Sequence, residues 1–78
     1  MQHKGTDATR LMTCVMVAGS SAAAIKIQRT LEGNRIPAAV GKSTTASGCV
    51  YTVSFPCLYR ESADNILASH GLKHRAYL

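Results

Sequence analysis

The run Val50-Tyr51-Thr52-Val53-Ser54-Phe55 alternates, with Tyr51, Val53 and Phe55 on one side and Val50, Thr52 and Ser54 on the other. Period-two alternation predicts a strand with one face on a core. Leu11 to Val17 is apolar on both parities, the pattern of a central strand covered on both faces. Gly19-Ser20-Ser21 then supplies a turn and a helix cap. Ala22 to Glu32 is rich in helix formers, with Ala24, Ile27 and Leu31 at helical spacing and Gly33-Asn34 as a stop. Ile36 to Val40 predicts a short strand whose Pro37 suits a sheet edge, and Lys42 to Gly48 a hydroxyl-rich connecting loop. Beyond Pro56-Cys57, a second helix is expected over Leu58 to His70, with Tyr59, Ala63, Ile66 and Leu67 on one stripe and Gly71 as its end. Lys73 to Leu78 predicts a last short edge strand.

The order strand, helix, strand, strand, helix, strand predicts an α+β, ferredoxin-like βαββαβ fold: a four-stranded antiparallel sheet with two helices on one face. Residues 1–10 are polar and aperiodic and are expected to form a flexible tail, with 11–78 as a single domain. In such a sheet the first and third strands lie side by side and antiparallel. Cys49, at the start of the third, is thereby predicted to sit beside Ser20-Ser21.

Seventy-eight residues leave no room for a second domain, and a chain of this size buries about 60% of its surface. A hydrophobic fraction of 46% separates it from disordered chains, so a core is expected. The net charge of +5 favours anionic partners, yet its nine Lys and Arg are scattered without a run, as solvated surface charge is. No apolar run approaches the ~18 residues a bilayer-crossing helix needs, so no membrane role is expected. His3, Lys4 and Arg10 ahead of Leu11 to Ala18 imitate a secretory signal, but the stretch is short and Asp7 precedes it. Three cysteines, an odd number, match neither a disulfide framework nor paired metal knuckles, which points to a reduced, cytoplasmic setting.

Of these cysteines, Cys49 is the candidate site. It follows Ser47-Gly48 at a loop-to-strand junction, where a thiol is open to reaction. Its parity with Tyr51 and Phe55 also allows a buried, structural role. Helix-start donors at Ser20 and Ser21, with Lys42 and Gly48 in the adjoining loop, are the expected thiolate-stabilising neighbours. Cys14 reads as a packing residue and Cys57 as part of a helix cap. Cys49 and Cys57 stand at opposite ends of one strand, about 20–25 Å apart at ~3.3 Å per residue, too far to bridge.

Other motifs are incomplete. Gly41-Lys42-Ser43-Thr44 imitates the end of a phosphate-binding loop, but Ile36 stands where the upstream glycine is required. His70 and His74 have helical ligand spacing, but Gly71 interrupts them, so no metal is expected. Gly48 and Tyr51 match two positions of an RNA-recognition strand, yet Cys49 and Ser54 replace its aromatics, which disfavours nucleic acid. Asp7, Glu32, Glu61 and Asp64 show no catalytic pairing, so a non-enzymatic role without a cofactor is favoured.

From Leu11 to Leu78 the chain resembles a family of small bacterial selenium- or sulfur-carrier-like proteins. The likeness rests on the first strand and Ser- and Ala-rich helix start, on Gly33-Asn34-Arg35-Ile36-Pro37, and on a hydroxyl-rich loop leading into Cys49 and a strand ending at Phe55-Pro56. Cys49 stands at the family cysteine, and Val50 replaces the glycine that usually follows it. The resemblance implies a persulfide or selenide held on Cys49 and passed between a donor and an acceptor protein. The alternative expectation is a binding or regulatory module that forms a homodimer or holds a partner through its uncovered sheet face, lined by Met12, Cys14 and Met16.

Overall fold

The computed structural model describes residues 12–46 and 48–78. The tail and signal-like residues expected over 1–10, together with Leu11 and Ser47, lie outside them. The chain is α+β, with a four-stranded antiparallel sheet and two helices. In chain order the elements are β1 (Thr13–Ala18), α1 (Ser21–Gly33), β2 (Ala39–Thr45), β3 (Gly48–Pro56), a 3-10 turn (Cys57–Tyr59), α2 (Arg60–Ser69) and β4 (Ala76–Tyr77). The sheet order is β2-β3-β1-β4, which leaves β2 on one edge and β4 on the other.

Register explains which residues face the core. Cys14 pairs with Phe55, Met16 with Val53 and Ala18 with Tyr51, so these side chains share one face. Met16, Ala18, Val53 and Phe55 are buried there with Ala24, Ile27 and Leu31 of α1 and Ala63 and Leu67 of α2. Burial of the larger of these, Met16, Val53, Phe55, Ile27, Leu31 and Leu67, contributes about 1.5–3 kcal/mol each. The expectation that Met12, Cys14 and Met16 line an uncovered face is corrected: Met16 is in the core and Cys14 packs against it. Met12 lies outside β1 and is exposed. The face away from the helices instead carries Val15, Val17, Val50, Thr52 and Ser54.

Local signals set the helix ends. The Ser20 hydroxyl accepts the Ala23 N–H at 3.1 Å and caps α1. At its exit, Arg35 N–H bonds to Glu32 O and Ile36 N–H to Leu31 O, with Arg35 at φ 67°, the left-handed cap position glycine usually takes. Ile36 is thereby turned into the core and does not begin a strand. The second strand consequently differs from expectation: it runs Ala39–Thr45, through residues expected to be loop. Gly41 to Thr45 pair with Thr52 to Gly48, and a tight hairpin closes at Gly48, whose φ of 109° suits glycine. This strand is polar because it is an edge strand, exposed over most of its length.

Candidate functional site

Cys49 is the second residue of β3 and pairs with Thr44 across the hairpin. By parity it belongs with Tyr51, Val53 and Phe55, yet it is exposed. Exposure falls along this parity from Cys49, through half-buried Tyr51, to Val53 and Phe55 in the core. Its Sγ lies 3.9 Å from Thr44 Oγ1, within hydrogen-bond range for sulfur. A shallow depression lined by Val17, Thr45, Cys49, Val50, Arg75 and Ala76 lies at the same end of the sheet, with Val17, Val50 and Ala76 on the face away from the helices.

The other predicted site residues are distributed around this end. Gly48 sets the hairpin geometry, and its carbonyl accepts the Thr45 hydroxyl at 3.0 Å. Lys42 lies two residues before Thr44 on β2, with Nζ 5.2 Å from the Tyr51 ring centroid, a cation–π contact. Ser20 is committed to capping α1, and Ser21 is that helix's first residue. The β1–β3 register ends at Ala18 opposite Tyr51, two residues short of Ser20 opposite Cys49. The thiol's recorded polar partner is therefore Thr44, a residue the sequence did not single out.

The remaining cysteines overturn an expectation. Cys14 and Cys57 form a disulfide, with Cα atoms 4.9 Å apart and a sequence separation of 43. Cys14 is thus more than a packing residue, and Cys57 more than a cap. The signal lay in the strand pairing. With Cys14 opposite Phe55, and Cys57 N–H bonded to Met12 O at 2.9 Å, the chain turns its next cysteine back onto the first. The bond also removes the cysteine count as a ground for a reduced compartment.

No protein-family model, curated protein or solved structure matches this chain. Its chemistry is read from its own residues alone.

A second polar cluster, not foreseen from sequence, holds the C-terminal strand. Tyr77 O–H donates to Asp64 Oδ1 at 2.7 Å, and His74 Nε2 lies 3.3 Å from the same oxygen. Arg60 stacks over the Tyr77 ring at 4.4 Å, and the His74 ring meets it edge-on with centroids 4.6 Å apart. Burial pushes the Tyr77 phenol above its usual range; the Asp64 hydrogen bond and charge add to this, while Arg60 opposes it. Among the described residues His74 Nδ1 is buried without a hydrogen-bond partner. That ring is therefore turned toward Asp64 and Tyr77, while His70 caps the end of α2. Among the described residues no group of His, Cys, Asp and Glu is assembled to hold a metal, and no helix is long and apolar enough to cross a membrane.

Proposed function

We propose that the chain is a small carrier of sulfur or selenium that uses Cys49 as its carrying thiol, on a ferredoxin-like βαββαβ scaffold. One observation supports this above the others: the disulfide occupies Cys14 and Cys57, leaving Cys49 as the chain's free thiol, and it is exposed. The sheet order β2-β3-β1-β4, with core residues drawn from both helices, supports the scaffold assignment. In the carrying step the Cys49 thiolate attacks the outer sulfur of a donor protein's persulfide. The Cys49 S–S bond forms, the donor's S–S bond breaks, and the donor thiolate leaves. Delivery to an acceptor thiolate is the same exchange in reverse, with no net oxidant or reductant. Lys42 on the neighbouring strand, whose side chain shares the sheet face of Cys49 and Tyr51, would offset the anionic persulfide. The work is assigned to the cytoplasm, where exposed Cys49 reacts ahead of half-buried Cys14 and Cys57 even if their bond is reduced.

A second use of the fold is favoured by a separate observation. The face away from the helices bears Val15, Val17, Val50, Thr52 and Ser54, none of them charged, and Val15, Val50 and Ser54 there are half-buried. An uncharged sheet face suits a homodimer or a protein partner.

Incubation of the native protein with cysteine persulfide, followed by peptide mass spectrometry, tests the carrier role. One added sulfur on the peptide containing Cys49, absent from Cys49→Ser, is the expected result. No uptake, with a concentration-dependent sedimentation coefficient, would transfer the proposal to the dimerising module.

A further inference from the structure

The helix layer stops short of β2. Val40, Lys42 and Thr44 point to the helix side of the sheet, as their partners Val53, Tyr51 and Cys49 do, yet all three are exposed. Among the described residues β2 is also an edge strand of seven residues in unbroken register with β3 and with no proline, so every second residue turns its N–H and C=O outward with no described strand beside it. On the helix above, Gln28 Nε2 donates to Ala38 O at 3.2 Å, which fixes the flank of α1 that looks toward β2. Ile25, one turn earlier on that flank, is 42% exposed, and Val40 is 36% exposed. Among the described residues the β2 edge is thus unpaired, with Val40 exposed on its helix side and Ile25 exposed on α1.

Charge selects the occupant. Lys42 stands mid-strand as the one charged residue of β2, exposed on its helix side. A second copy pairing antiparallel through β2 about its centre would set Lys42 opposite its own equivalent, a destabilising like-charge pair. We infer that the β2 edge receives an extended segment of another protein by strand addition, with an apolar residue against Val40 and Ile25 and an acidic residue two positions away against Lys42. Main-chain hydrogen bonds to β2 supply affinity, and the alternating side chains supply selectivity. This inference does not depend on the carrier role of Cys49.

The test uses the whole chain and two capped peptides, Val-Thr-Glu-Thr-Val and Val-Thr-Lys-Thr-Val, titrated while backbone amide resonances are recorded. The acidic peptide should shift the amides of residues 39–45 and the Ile25 methyls, and should bind about threefold to fivefold more tightly than the basic one. Lys42→Glu, an exposed change that leaves the rest of the amide spectrum in place, should reverse that order. Four outcomes overturn the inference: no shift at millimolar peptide, equal affinities in both proteins, β2 shifts that follow protein concentration and so report a second copy, or β2 amides already protected in the free chain by its own residues 1–11.

Discussion

The two ends of β3 carry the same kind of side chain in opposite circumstances. At the Phe55 end, a disulfide, a buried ring and the Tyr77 cluster converge: Phe55 is in the core, its centroid lies 6.2 Å from that of Tyr77, and Cys57 is tied to Cys14. At the Gly48 end, Cys49 has the same parity but stands past the cover of the helices, against one hydroxyl. Parity decides which face a side chain joins; the reach of the helix layer decides whether that face is a core. One strand therefore has an available sulfur at its start and a cross-linked one just past its end.

The sharpest way to break this contrast is to truncate at each end. Phe55→Ala should cost about 3–5 kcal/mol by leaving a cavity in a fully packed core, whereas Cys49→Ala should stay within about 0.5 kcal/mol, both read from urea unfolding. Comparable losses would mean that Cys49 is structural after all. Next in size, Cys14→Ser with Cys57→Ser opens a cross-link spanning 43 residues and should cost about 2–4 kcal/mol, lowering the urea midpoint while leaving Cys49 labelling unchanged.

Tyr77→Phe is smaller, about 1–2 kcal/mol near neutral pH, because it removes one hydrogen bond to a carboxylate. Its pH dependence is more telling. The folded phenol keeps its proton above the ordinary value of about 10, so above that pH the unfolded chain binds fewer protons than the folded one and stability falls. Wild-type stability should therefore decline more steeply above pH ~10 than that of Tyr77→Phe, and parallel declines would remove the cluster from the account. The smallest effect is a gain: Arg35→Gly relieves a left-handed residue and should raise stability by about 0.5–1 kcal/mol at the Phe55 end, with no change at the thiol.

These contrasts also show what could be read from sequence. The alternation from Val50 to Phe55, the Ser20 cap and the Gly71 stop each depend on a few neighbouring residues, and each stands where it was expected. The antiparallel pairing of the first and third strands followed from element order. What escaped depends on distant residues. Ala39 and Val40 fell within the expected edge strand, but Lys42 to Thr45 read as loop because an edge strand with both faces largely exposed has no reason to alternate. The disulfide needed the β1–β3 register followed to its far end, since its cysteines are 43 residues apart. The Asp64–His74–Tyr77 cluster needed the packing of α2 against the C-terminal segment. For Cys49, sequence gave the right parity but not how far the helices extend, so its exposure became visible only in three dimensions.

The central claim is that one sulfur is available and two are not, and alkylation of the native, unreduced protein tests it most directly. Iodoacetamide followed by peptide mapping should modify Cys49 alone and to completion, with Cys14 and Cys57 reacting only after reduction. Labelling of Cys14 or Cys57 in the unreduced protein, or protection of Cys49 until the chain is unfolded, would contradict it.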